Sequence, residues 1–139
     1  MYFNALFGKS FSREQDNPIN AALNYGYAIL LSAVNREILS LGYITQLGLN
    51  HCNQFNSYNL GSDLMEPLRG FVDAVVIKSR PTEFDRNVKL SLIELLSEDV
   101  KINDTVQTFS AAIRIYCKSV FDALRTHDAN QIRFIEYEL

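Results

Sequence analysis

The amino-acid sequence predicts a mainly all-α fold, a single helical domain with a small β-hairpin near residues 100–107. Two observations predict the helices. Ala21, Leu23, Ala28, Ile29, Leu30, Leu31, Val34 and Ile38 recur at helical spacing behind Asn17-Pro18. Leu60, Leu64, Leu68, Phe71, Val72, Val75 and Val76 repeat the pattern, as do Ala112, Ile115, Val120, Phe121 and Leu124. A third observation predicts the hairpin: Val100-Lys101-Ile102-Asn103-Asp104-Thr105-Val106 alternates around an Asn-Asp turn.

Each element has its own signals. Met1 to Phe7 reads as the tail of a helix that Gly8 stops. It has no polar residue ahead of it as a cap, which suits either a cut chain or a short native N-terminal helix. Asn17 caps the next helix and Pro18 takes its first turn, where a missing N–H costs nothing. That helix is apolar nearly all round, so it is expected at the centre of the fold, and Gly42 ends it. Tyr43 to Asn59, rich in Asn and Gln, reads as a loop. The following helix starts near Leu60 and carries Pro67 inside its apolar pattern. Proline within a helix removes a hydrogen bond. Either Pro67 marks a functional departure from local rules, or the regular helix begins after it. Ser79-Arg80-Pro81 closes this helix, and Asn87 is the expected cap of a short one carrying Val88, Leu90, Ile93, Leu95 and Leu96. Thr108 or Ser110 starts the last long helix, and Ile132 to Ile135 forms a short strand or a docked extended tail.

Composition narrows the class. With 139 residues, 47% of them hydrophobic, the chain can build one core. Its net charge of −3 excludes a binder that holds nucleic acid by bulk charge alone. Cys52 and Cys117 form no disulfide framework and read as reduced thiols of a cytoplasmic protein. The start of the chain does not read as a signal peptide, no apolar stretch is long enough for a bilayer, and no membrane role is expected.

The chemistry concentrates in one trio. His51 lies in the Asn-rich loop, and Asp63 and Glu66 stand at i,i+3, on one face of a helix. An imidazole beside two carboxylates suits a divalent ion that manages phosphate chemistry. A site of that kind usually needs a further carboxylate, and no good candidate stands in this sequence. A run of positive charge through Arg69, Lys78, Arg80, Arg86 and Lys89 reads either as a solvated face or as a phosphate-contacting strip. Arg69 could share the face of Glu66, and Lys9 and Arg13 could add to it from the first loop. Tyr25 and Tyr27 read as packing residues.

Three ordered motifs carry a resemblance. Asn17-Pro18-Ile19-Asn20-Ala21-Ala22-Leu23-Asn24-Tyr25-Gly26-Tyr27, then His51-Cys52-Asn53-Gln54-Phe55-Asn56, then Asp63-Leu64-Met65-Glu66-Pro67 resemble the CRISPR adaptation integrase, the catalytic Cas subunit of spacer acquisition. The second motif and the Glu-Pro ending resemble its type II branch. The resemblance implies that residues 1–139 are the C-terminal helical catalytic domain, with an N-terminal β domain absent. It implies a metal-dependent DNA endonuclease and integrase using Mg or Mn. His51 and Glu66 would be metal ligands and Asp63 a third catalytic residue. Arg13, Arg69 and Lys78 are the DNA-contact candidates. The implied partners are DNA (prespacer and CRISPR repeat), a second adaptation subunit, and a second copy of the full-length protein. The family's first metal-binding Glu would stand before Tyr2-Phe3, so this chain by itself is expected to be inactive. The family commonly has Phe-Arg-Pro where this chain has Leu68-Arg69-Gly70. The alternative reading is a helical protein-interaction module without catalysis, sticky at Tyr2, Phe3 and Phe7.

Overall fold

Asn17 accepts a hydrogen bond from the Asn20 amide through its side chain, and Pro18 follows with no N–H to satisfy. From that start the central helix runs from Pro18 to Ser40 in a computed structural model that describes residues 1–42 and 59–137. In chain order the helices are α1 (Tyr2–Phe7), α2 (Pro18–Ser40), α3 (Asn59–Met65), α4 (Arg69–Ser79), α5 (Arg86–Glu94) and α6 (Phe109–Thr126). Strands β1 (Asp99–Ile102) and β2 (Thr105–Thr108) precede α6, and β3 (Ile135–Glu136) follows it. Among the described residues no helix is long and apolar enough to cross a membrane.

The helix α2 packs against α3, α4, α5 and α6. Its Leu23, Leu30, Val34 and Ile38 are almost wholly buried. Each such side chain stabilises the fold by roughly 1.5–3 kcal/mol. Gly26 lets α4 come close, because a Cβ there would run into Cγ1 of Val72. Opposite, α6 presents Phe109, Ala112, Ile113, Tyr116, Cys117 and Val120, the i,i+3,i+4 stripe of an amphipathic helix. Thr108 is its cap, accepting from the Ala111 amide. Burial pushes the Cys117 thiol up to about 12, so it is a core residue and not a nucleophile.

The hairpin forms as the alternation predicts. Asn103 and Asp104 both take positive φ, the conformation of a two-residue hairpin turn. Of the two expectations for the tail, the strand is the one that forms, at Ile135–Glu136: β3 pairs with β1 through Lys101↔Glu136 and Ile102↔Ile135, giving the antiparallel order β2-β1-β3. Two local expectations are corrected. The cap of α5 is Asp85, which accepts from the Val88 amide, and not Asn87. Both residue types cap well, and packing of Phe84 on Tyr25, centroids 5.5 Å apart, sets the earlier entry. The helix expected from Leu60 to Val76 is interrupted. A 3-10 turn at Glu66–Leu68, with Pro67 in its first positions, separates α3 from α4. Pro67 therefore sits where its missing N–H is tolerated, and Glu66 stands at the break.

Candidate functional site

Asp73 is the one acid in the apolar run Phe71-Val72-Asp73-Ala74-Val75-Val76-Ile77, and α4 turns it inward to 3% exposure. A buried carboxylate needs donors. Tyr2 on α1 donates to its Oδ2 at 2.7 Å, and Tyr27 on α2 donates to its Oδ1. Burial and the bond to Asp73 push the Tyr2 phenol up to about 12. The same causes raise that of Tyr27 against the opposing fields of Arg13 and Arg69.

Those two arginines flank the Tyr27 ring. The Arg69 guanidinium lies 5.0 Å from its centroid and that of Arg13 lies 5.7 Å away. Arg13 is held by Asn20 Oδ1 at 2.5 Å and Asn24 Oδ1 at 2.6 Å, and it also lies 5.5 Å from the Phe3 centroid. Arg69 reaches back one turn to Glu66, with Nη2 3.2 Å from Oε1. Its Nε is buried without a hydrogen-bond partner among the described residues. Glu66 itself is exposed at the 3-10 turn. Asp63 is half-buried on α3, whose Leu64 carbonyl is anchored by the Tyr116 hydroxyl at 2.9 Å.

The structure therefore places Arg13 and Arg69 beside one tyrosine and pairs Arg69 with Glu66. It does not bring Lys78 to them. Lys78 lies nine residues beyond Arg69, about two and a half helical turns, and lines a separate groove with Phe71, Val75, Leu95 and Val100. The strip of positive charge is thus divided between two sides of α4. His51 and Cys52 lie outside the described residues, so the trio's imidazole is unplaced here. Among the described residues no group of three or more His, Cys, Asp or Glu is arranged to hold a metal ion. The donor chemistry still fits one. Asp63 and Glu66 offer hard carboxylate oxygens one turn apart, and Mg²⁺ is commonly held by one or two carboxylates and its own waters.

Sequence reasoning missed Asp73, Tyr2, Tyr27, Asn20 and Asn24. A single acid inside an apolar run was the available signal for Asp73. Of the patch expected at Tyr2, Phe3 and Phe7, Tyr2 is exposed. Phe3 and Phe7 are half-buried against Phe11, with centroids at 6.3 and 4.9 Å, and Tyr2 is tied to Asp73.

Comparison with known proteins gives this arrangement a context. The family model described as "CRISPR associated protein Cas1" matches residues 5–86, a span containing all of Arg13, His51, Asp63, Glu66, Arg69 and Lys78. A CRISPR-associated endonuclease Cas1 of Neisseria meningitidis is 36% identical over 141 residues, covering 98% of this chain and 46% of that protein. A second, from Pyrobaculum aerophilum, is 32% identical over 120 residues, covering 82% of this chain and 40% of that protein. This chain spans less than half the length of either. Among solved structures, a casposase bound to integration product superposes with a TM-score of 0.69 at 25% identity, over 87% of this chain and 42% of that one.

Proposed function

This chain belongs to the family of CRISPR-associated Cas1 proteins, and we propose that its helical unit carries the strand-transfer site of a metal-dependent DNA endonuclease and integrase of the type II branch. The reading rests on one observation above the others. Arg69 and Arg13 flank the Tyr27 ring, and Arg69 pairs with Glu66, inside the span that matches the family.

Each residue has a separate task. His51 and Glu66, with Asp63 beside them, would hold Mg²⁺ or Mn²⁺. The bound ion supplies Lewis-acid stabilisation of charge on the reacting phosphate. Arg69 and Arg13 hold phosphate oxygens of the DNA backbone. Their guanidiniums are pre-positioned by the Tyr27 ring and by Asn20 and Asn24, so little ordering remains when DNA arrives. Arg69 also directs the Glu66 carboxylate through their ion pair until a cation competes for it. In strand transfer a DNA 3′-hydroxyl attacks phosphorus and the target strand's own 3′-hydroxyl departs, so one P–O bond replaces another. The partners that the family resemblance implies are a second adaptation subunit and a second copy of the protein.

Mn²⁺-dependent thermal stabilisation tests the site. A rise in Tm that disappears in both His51→Ala and Glu66→Ala is expected; a rise that survives both substitutions sinks the metal reading. Arg13→Ala and Arg69→Ala should each lower DNA affinity and flatten its salt dependence by about one charge.

A further inference from the structure

We infer that Tyr137 is a positioning residue for Glu66, holding the 3-10 turn from the far end of the chain through a gap that Gly70 leaves open. The inference rests on the reading of Glu66 as a metal ligand. Its geometry is independent of that reading.

The turn Glu66–Leu68 is a weak element on its own. Pro67 donates no hydrogen bond, and the turn's capping bond is the Arg69 amide to the Glu66 carbonyl. The helix α4 that follows begins after Leu68, which offers no side-chain cap. The first N–H groups of a helix then lack partners. Tyr137 answers this need. Its ring stacks on Phe71, with centroids 4.0 Å apart and planes at 17°. Its hydroxyl donates to the Pro67 carbonyl at 3.1 Å, directly after Glu66. The Gly70 and Phe71 amides lie close enough to its phenol oxygen to act on its ionisation, against the raising effect of burial. One hydroxyl thus faces both the turn's carbonyl and the uncapped start of α4.

Gly70 is what admits it. A Cβ built there meets the Tyr137 hydroxyl oxygen at 2.5 Å and Cζ at 3.0 Å. Any other residue forces the phenol off the turn. Tyr137 in turn follows Glu136 of β3, which pairs with Lys101 of β1. Through Tyr137 the small sheet thereby reaches the turn that carries Glu66.

Substitutions in the full chain test this, read by amide hydrogen exchange, by Mn²⁺ broadening of NMR signals from residues 59–69, and by Tm. Tyr137→Phe keeps the ring and loses the hydroxyl. It should speed exchange at the Arg69 amide and weaken Mn²⁺ binding by about fivefold each, the worth of one hydrogen bond, with α6 amides unchanged. Glu66→Gln reports on the underlying reading. If it leaves Mn²⁺ affinity intact, Glu66 is no ligand and the functional half of the inference falls. If it weakens Mn²⁺ and Tyr137→Phe alters neither readout, the positioning role alone is overturned. Gly70→Ala supplies a sign test. Alanine is the better helix former, so Tm should rise in a Tyr137→Ala background. In the wild-type background it should fall, because the methyl meets the phenol. A rise in both backgrounds overturns the inference.

Discussion

Asp73 and Glu37 are each only 3% exposed, yet the protein satisfies them in opposite ways. Glu37, near the C-terminal end of α2, pairs with Arg114 of α6 at 3.2 Å and Arg36 at 3.8 Å. Those arginines keep 73% and 64% of their side chains in water, so little cation desolvation is incurred and two helices are joined. Asp73 receives hydroxyls of Tyr2 and Tyr27, and cations stand one ring further out. The first arrangement ends at the tie it makes. The second orients a ring that carries two arginines, one of which grips Glu66. A carboxylate held by neutral donors beside cations is the arrangement to expect where charge must be poised for a ligand.

Substitution can break that comparison. Asp73→Ala should show the largest effect. It leaves a buried hydroxyl unpaired and opens a cavity, for a loss of about 3 kcal/mol in urea unfolding. DNA affinity should drop with it, since Tyr27 loses its anchor. Glu37→Ala should cost about 2 kcal/mol, because its exposed arginines return to water, and should leave DNA affinity unchanged. Equal DNA-binding losses in the two variants would erase the distinction. Tyr27→Phe keeps the ring under both arginines and should cost about 1 kcal/mol. If its DNA affinity equals that of Asp73→Ala, the hydroxyl bond, and not the carboxylate's field, sets the arginines.

The smallest effect is one of pH. The Tyr2 phenol is raised to about 12, so the native state holds that proton more tightly than the unfolded chain does. This contribution is complete below the ordinary tyrosine value near 10 and is lost as pH rises towards about 12. Urea midpoints should therefore fall across that window, and less steeply in Tyr2→Phe. An identical slope in the variant would remove Tyr2 from the account.

Legibility followed sequence distance. Asn17 and Thr108 were readable as caps because each bonds an amide three residues on. The Asn-Asp hairpin was readable because its turn demands positive φ, which those residues tolerate. Asp85 displaced Asn87 because two good capping residues two positions apart are separated only by packing. Pro67 announced a break, but not that a 3-10 turn would place Glu66 on it.

By itself the sequence determined the helical class, the central burial of α2, the hairpin, and the ordered motifs that place the chain in its family. These rest on periodicity and on bonds within a few residues. Tertiary structure alone decided the collar around Asp73 and the grip of Tyr137 on the turn. Those bonds join residues 71, 46 and 70 positions apart. Such pairs have no periodic signature, since they exist only once helices that pack for their apolar faces have carried the polar groups together.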